Sequence, residues 1–287
     1  MSKIRSTIPM AAAMAAIVLL AGCAGGSESD TGSGSGSASG NDLGLVNDGA
    51  LTVCANLETP PNIYAEEDGT PVGVEVEIAQ KMAEQMDLEV TFSEYNFSGL
   101  IPALQAGQCD TIISSLYIKP EREEIASFVP YLLSGSGVAV SKSNPEDVTG
   151  YDDSLCGVSA IGITGATGAT LLEEKSAECE ANGMDPIQIT LTDKAADALQ
   201  QVIAGQADAF MDTAELVGYF ESQSDGEFVP VGDPVDEIEI GAASLKENEA
   251  LHDALQEAFD AVVDNGDYAA ILDEWGFESL DIANANA

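Results

Sequence analysis

From about residue 50 onward, the chain alternates short apolar runs with amphipathic segments. "ALTVCAN" and "CDTIIS" are apolar runs that predict buried strands, and "LEVTF" alternates as another strand. "SGLIPALQAGQ" predicts a short amphipathic helix that ends at Gly107. In "IAQKMAEQM" the apolar residues share one helical face, as a core helix requires: Ile78, Ala79, Met82, Ala83 and Met86. This succession of strands and helices favours an α/β fold with a mainly parallel sheet.

Two segments of the chain are similar to each other. "QAGQCDTIIS" and "IAGQADAFMD" each follow a predicted helix and lead into a strand, about 100 residues apart. Two similar α/β lobes would explain the repeat, although the shared residues are few and common enough for a chance match. The repeat places Ser114 and Asp212 at the carboxyl ends of their strands, where open α/β sheets bind ligands.

The N-terminus has the pattern of an export signal. Residues 1–22 combine a basic head, the apolar run "IPMAAAMAAIVLL" and a small-residue end. The apolar run is shorter than the roughly 20 residues that cross a bilayer. "LAGC" resembles a bacterial lipobox, which implies lipid modification of Cys23; an ordinary signal peptide with a nearby cysteine is the alternative. Residues 23–44 are rich in Gly and Ser and predict a flexible tether. The expected location is extracytoplasmic, lipid-anchored to the outer face of the cell membrane.

The chain is strongly acidic. It contains 50 acidic and 9 basic residues and has a formal net charge of −41. Nucleic-acid binding requires basic surfaces and is therefore excluded. Molar salt screens charges over about 3 Å, so the acidity indicates adaptation to a salty exterior. Apart from Arg5, Arg122 in "IKPEREE" is the only arginine.

Four cysteines follow the lipobox: Cys54, Cys109, Cys156 and Cys179. Disulfides are expected in an exported chain, and four cysteines allow three pairings. The sequence contains no CxxC motif, and its single histidine, His252, is typical of an exposed helix residue. We therefore expect no metal and no cofactor.

From about Leu51 to the C-terminus, four segments resemble a known family at the family's spacing. They are "LTVCANLETPPNIYAEEDGTPVGVEVEIAQKMAEQM", "FSGLIPALQAGQCDTIISSLYIKPERE", "ADALQQVIAGQADAFMDTAELVGYF" and "NGDYAAILDEWG". The family is the bacterial extracellular solute-binding proteins, family 3, whose members bind polar amino acids for ABC importers.

The resemblance implies a two-lobed, type II periplasmic-binding-protein-like α/β fold. Each lobe would be a mainly parallel sheet flanked by helices, and a two-segment hinge would join the lobes. Lobe 1 would comprise residues 45–140 plus 241–287, and lobe 2 residues 141–240 with the hinge segments at its ends. The implied partners are a small-molecule amino acid and the permease and ATPase subunits of an importer; the protein itself is expected to be a monomer.

The same resemblance indicates which residues bind the two charged ends of the ligand. Arg122 matches the arginine of the family's "PER" turn, which grips the ligand α-carboxylate with two parallel hydrogen bonds. Asp212 matches the second-lobe aspartate that pairs with the α-ammonium, while Ser114 and Ser115 would add hydrogen bonds. Opposite charges on opposite lobes would select a zwitterion and favour closure. An arginine solvated among glutamates is the alternative for Arg122.

Other positions match less closely. Phe97 would pack on the ligand side chain, although its spacing fits a core phenylalanine equally well. A second-lobe threonine should donate to the carboxylate, and "GITGATGAT" offers Thr167, in the better register, and Thr164. Tyr117 stands where a small hydroxyl residue usually helps to hold the ammonium.

Side-chain specificity is left open by the sequence. Asn56 and Glu58 follow the first strand, where the family often reads the ligand side chain. Glu58 favours a cation, whereas an acid rather than Asn56 is common in binders of lysine or arginine. Lys119 would favour a dicarboxylate if it turned inward. Thr59 and Asn62 replace aromatic residues that often line this region.

The lobe assignment also implies the disulfides Cys54–Cys109 and Cys156–Cys179. A bond between lobes would prevent closure, whereas each bond within a lobe would stabilise that lobe by about 3–4 kcal/mol.

The expected function is that of a substrate-binding lipoprotein of an ABC importer, and not an enzyme. The sequence offers no Cys/His or Ser/His pairing, P-loop or metal-ligand cluster. One alternative is a secreted dehydratase of the same fold acting on cyclic carboxylic acids, with Glu58 as the obvious acid. Another is a tethered amino-acid sensor.

Overall fold

The computed structural model describes residues 43–285. The predicted signal peptide (1–22), the lipidation site Cys23 and all but the last two residues of the predicted tether lie outside the described residues. Leu43 is buried, and the Asn248 side-chain amide donates to its carbonyl at 2.8 Å.

The strands of the described range form two sheets. The strands are β1 Ala50–Ala55, β2 Glu58–Thr59, β3 Ile63–Ala65, β4 Pro71–Val72, β5 Glu89–Glu94, β6 Thr111–Ile112, β7 Ala126–Ser141, β8 Ser159–Ile163, β9 Gln188–Thr192, β10 Ala209–Thr213 and β11 Phe228–Leu245. The larger sheet has the order β5-β1-β6-β11-β7-β10-β8-β9, and the smaller one the order β2-β3-β4.

Helices lie between the strands and after the last of them. They are α1 Val74–Gln85, α2 Leu100–Gln105, α3 Pro120–Glu123, α4 Thr167–Ala181, α5 Ala195–Ile203, α6 Ala214–Gln223, α7 Glu249–Asp264, α8 Asp267–Trp275 and α9 Ile282–Ala285. Short 3-10 turns occur at Phe97–Gly99, Asp153–Leu155 and Glu278–Leu280. Within the described residues, no helix has both the length and the apolar character needed to span a membrane.

Two long central strands, β7 and β11, join the two ends of the large sheet. They pair antiparallel to each other, and β11 also pairs antiparallel with β6 while β7 pairs antiparallel with β10. On the outer sides, β6, β1 and β5 are parallel, as are β10, β8 and β9. The expected α/β fold with a mainly parallel sheet is therefore confirmed, with an antiparallel pair at its centre.

The buried side chains form separate clusters on the two sides of this central pair. One group includes Leu51, Ile78 and Leu255, and the other includes Ile161 and Phe210. The strands β7 and β11 run through both groups without a break, so the predicted lobe limits stay a prediction.

Local predictions from the pattern agree with the structure. Ile78, Ala79, Met82 and Ala83 are buried on α1, while Met86 caps its C-terminus. Gly107 follows α2 with φ +65°, a conformation that glycine adopts without strain.

Both expected disulfides are present. Cys54 of β1 is bonded to Cys109, which precedes β6, and Cys156 is bonded to Cys179 of α4. Each bond joins residues on the same side of the central strand pair, as expected.

Candidate ligand-binding cleft

A cavity of about 480 Å³, including its open mouth, lies where the two halves of the large sheet meet. Its lining comes from both sides of the strand pair β7 and β11: Asn56, Glu58, Thr59, Phe97, Ser115, Tyr117 and Ser136 from one part of the chain, and Ile163, Ala166, Thr167, Gly168, Asp193, Ala195, Asp212, Thr213 and Leu216 from the other.

Most of the predicted site residues line this cavity. They are Asn56, Glu58, Phe97, Ser115, Tyr117, Thr167 and Asp212. Ser114 lies behind the wall, fully buried, and its Oγ accepts a hydrogen bond from the Asn56 backbone N–H at 2.8 Å. Ser114 thus fixes the loop after β1 instead of facing the cavity.

Arg122 lies in α3 and does not itself line the cavity, but it contacts two residues that do. Its Nη1 donates to the Tyr117 carbonyl at 2.8 Å, and its Cζ lies 5.6 Å from the Phe97 ring centroid. Its Nη2 donates to the Gly165 carbonyl at 3.3 Å, on the opposite side of the cavity. The half-buried guanidinium therefore sits at the cavity wall, which disfavours a purely solvated arginine. Its contact with a ligand carboxylate stays a prediction.

Asp212 supplies a buried negative charge to the cavity. It occupies the carboxyl end of β10 and is only 6% exposed. The Thr213 backbone N–H donates to its Oδ1 at 2.7 Å, yet burial raises the pKa of Asp212 to about 6. Among the described residues, no basic side chain forms an ion pair with it. A cation that entered the cavity would favour the ionised carboxylate.

The N-terminus of α4 faces the same cavity. Ala166 precedes this 15-residue helix and provides no side-chain cap, so the amides of the first turn are available to a ligand. These amides and the helix dipole favour an anion such as a carboxylate. Gly168 allows α4 to pack closely against β10, because a side chain at this position would collide with the Met211 carbonyl of that strand. The structure brings Thr167 to the cavity, whereas Thr164 donates to the Thr192 carbonyl at 3.2 Å instead.

Sequence reasoning missed Glu75, a fully buried acid beneath the site. Its Oε1 accepts from the Ser115 backbone N–H at 2.7 Å, the Ser115 hydroxyl at 3.2 Å and the Tyr131 hydroxyl at 2.8 Å. Burial raises the pKa of Glu75 to about 7 despite these bonds. Ser115 has a positive φ of 48°, and Glu75 holds this strained residue at the cavity wall.

A second missed acid, Glu215, belongs to a buried hydrogen-bond chain. The Ser134 hydroxyl donates to Glu215 Oε2 at 2.8 Å and lies 2.9 Å from the Tyr117 hydroxyl. Burial raises the pKa of Glu215 to about 7. The available signal was its position in the first turn of α6, which directly follows the strand end that carries Asp212. The Tyr117 hydroxyl also donates to the Gly135 carbonyl at 2.9 Å, so it is already hydrogen-bonded within the protein.

Acidic groups also lie at the part of the cavity formed by the loop after β1. Glu58 and Asp193 both line the cavity, and Glu58 forms an ion pair with Lys194 at 2.9 Å. Asn56 Oδ1 accepts from the Glu58 backbone N–H at 3.2 Å, which orders this loop. Lys119 precedes α3 and does not line the cavity.

Comparisons with known proteins agree with this geometry. The family model described as "Bacterial extracellular solute-binding proteins, family 3" matches residues 51–278. Among curated proteins, the arginine-binding protein ArgT of Corynebacterium glutamicum is 32% identical over 237 residues, covering 82% of this chain and 76% of that protein.

Solved structures share the fold. An ancestral arginine-binding protein bound to arginine aligns with a TM-score of 0.73 at 25% identity, covering 79% of this chain and 98% of that one. An ancestral amino-acid-binding protein described as a precursor of cyclohexadienyl dehydratase aligns with a TM-score of 0.71 at 24% identity, covering 80% and 96%.

Proposed function

Because the chain belongs to family 3 of the bacterial extracellular solute-binding proteins, we propose that it captures one amino acid in the cavity and delivers it to the permease of an ABC importer. The observation that carries this proposal is the separation of charge across the cavity. The carboxylate of Asp212 is buried without a cationic partner among the described residues, whereas the Arg122 guanidinium and the N-terminus of α4 provide positive charge.

A zwitterion satisfies both groups at once. Its α-ammonium would pair with Asp212, and its α-carboxylate would accept from Arg122 and from the first-turn amides of α4. Arg122 would exchange its bonds to the Tyr117 and Gly165 carbonyls for bonds to the ligand, which requires only a side-chain movement. A solute with only one of the two charges would leave one buried group unpaired, and this costs binding energy.

The ligand side chain is proposed to be polar or positively charged. Glu58 and Asp193 add negative charge to the cavity lining, and the Corynebacterium relative is named as an arginine-binding protein. Lys119 does not line the cavity, which removes the reason to propose a dicarboxylate ligand.

Anchoring by a lipid on Cys23 is part of the proposal. Delivery to a permease requires the protein to stay close to the membrane, and a lipidated N-terminus followed by a Gly/Ser tether would provide this. Cys23→Ser should release the protein into the medium, as measured by fractionation and immunoblotting. Continued membrane association of this variant would refute the anchor.

The proposed protein binds its ligand and leaves it unchanged, whereas an enzyme of the same fold would convert it. The similarity to the dehydratase precursor concerns the fold. Glu58, the obvious acid for such an enzyme, forms an ion pair with Lys194, so its carboxylate is already engaged by a cation.

A thermal-shift screen of the twenty amino acids tests the proposal. At a concentration of about 100 times Kd, a ligand adds about 2.7 kcal/mol to the free energy of unfolding. We expect one or a few amino acids to raise the Tm and to be recovered unchanged by NMR. Asp212→Asn provides the control, because it should abolish the shift while it leaves the ligand-free protein folded. Failure of all twenty to raise the Tm, or conversion of the ligand, would refute the proposal.

A further inference from the structure

The ion pair between Glu58 and Lys194 crosses the cavity. Glu58 belongs to β2, whereas Lys194 is the N-cap residue of α5, and the carboxylate and ammonium are 2.9 Å apart. The two side chains are 32% and 58% exposed, respectively, so the pair lies at the mouth and not in the interior.

Both partners are placed to affect a bound ligand. Glu58 lines the cavity, and so do Asp193 and Ala195 on either side of Lys194. Asp212 and Arg122 are assigned to the α-ammonium and the α-carboxylate, so Glu58 and Asp193 are the remaining acids that can read the ligand side chain. Lys194 pairs with one of these two acids.

We propose that Lys194 is a specificity-determining residue, which competes with the ligand side chain for Glu58 and thereby limits the preference of the site for cations. This inference rests on the proposed amino-acid binding. A cationic side chain must displace the Lys194 ammonium from Glu58 or share the carboxylate with it, and it is repelled by that ammonium in either case. A neutral polar side chain meets neither cost.

The chain also provides a matched control. Lys142 forms a similar ion pair with Glu227 at 3.3 Å, with exposures of 62% and 57%, and neither residue lines the cavity. Lys142→Met therefore changes the net charge of the protein by the same amount as Lys194→Met without altering the site.

Calorimetric titration of the purified protein with ligand pairs of matched shape tests the proposal. Arginine is paired with citrulline, in which a neutral ureido group replaces the guanidinium, and glutamate is paired with glutamine. Lys194→Met should raise the affinity ratio of the cationic to the neutral ligand, and lower that of the anionic to the neutral ligand, by about two- to five-fold. Glu58→Gln should lower the arginine-to-citrulline ratio by a similar factor, and Lys142→Met should leave every ratio unchanged. The effect of Lys194→Met should be smaller in the Glu58→Gln background, where the competition for the carboxylate is lost and only the repulsion by the ammonium is left.

Other results would overturn the inference in distinguishable ways. If Lys194→Met weakens both members of a pair equally, the ion pair only holds the cavity closed. If Lys194→Met and Lys142→Met shift the affinity ratios equally, the shift is caused by the change in net charge and not by the position of Lys194. If neither pair binds while another amino acid does, Lys194 does not set the preference. If no amino acid binds at all, the proposed function fails together with the inference.

Discussion

The raised pKa of Asp212 predicts that ligand affinity falls as the pH is lowered from 7 to 5. Burial raises this pKa to about 6 in the ligand-free protein. A ligand ammonium pairs with the ionised carboxylate, so binding lowers the pKa and releases a proton wherever Asp212 was protonated. Ligand binding is therefore strongest above pH 6, where Asp212 is ionised, and weakens as the pH falls below 6.

The magnitude follows from the protonated fraction. With a pKa of about 6, about one Asp212 in eleven is protonated at pH 7 and about ten in eleven at pH 5. Binding that requires the ionised form therefore weakens about ten-fold between these values, which corresponds to about 1.4 kcal/mol. This ten-fold change requires that the bound ammonium lowers the pKa of Asp212 to well below 5.

Titration calorimetry in buffers of different ionisation enthalpy measures both the affinity and the number of protons released on binding. With arginine as ligand, about 0.9 protons should be released per binding event at pH 5, about half a proton at pH 6 and about 0.1 at pH 7. The charges of arginine itself hardly change over this range.

Two variants identify the source of the proton. Asp212→Asn should bind weakly and show little dependence on pH. Glu215→Gln should retain most of the dependence of the wild type, although burial raises the pKa of Glu215 to about 7 and the two carboxylates interact. Equal wild-type affinity at pH 5 and pH 7, or a pH dependence that persists in Asp212→Asn, would refute the reasoning.

Three further predictions concern Arg122, Glu75 and the disulfides. Arg122→Lys should weaken binding of every amino acid by at least about ten-fold, since lysine cannot form two parallel bonds, with little change in Tm; unchanged affinity in calorimetry would remove Arg122 from the site. Burial raises the pKa of Glu75 from 4.5 to about 7, so the native state holds this proton more tightly than the unfolded state. Stability should therefore fall by up to about 3 kcal/mol as the pH rises from 4.5 to 7. Urea denaturation at constant salt should show a smaller fall in Glu75→Gln, and an equal fall would contradict the assignment. Replacing Cys54 and Cys109 by Ala should cost about 4 kcal/mol, against about 3 kcal/mol for the shorter loop closed by the other bond; the reverse order in urea denaturation would contradict this estimate.

Features encoded by local periodicity could be predicted from the sequence. The buried face of α1 follows from apolar residues three and four apart. The position of Asp212 follows from its place at the end of an apolar run, since strand ends meet at one edge of a parallel sheet. Thr167 reaches the cavity because it begins a helix that packs against this strand.

Features that depend on distant contacts could not be predicted in this way. Glu75 lies in the first turn of α1, where an acid is normally solvated, and only the fold brings Ser115 and Tyr131 to it. Glu58 and Lys194 are 136 residues apart and share no local pattern. Ser114 faces the Asn56 amide because the loop after β1 needs a hydrogen-bond acceptor there.

The most direct test of the zwitterion clamp is a crystal structure of the protein with its amino acid bound. We expect the Arg122 guanidinium to lie within about 3 Å of both α-carboxylate oxygens and a carboxylate oxygen of Asp212 to lie at a similar distance from the α-ammonium. A bound ligand whose α-carboxylate makes no contact with Arg122, with the guanidinium directed into solvent, would contradict the account.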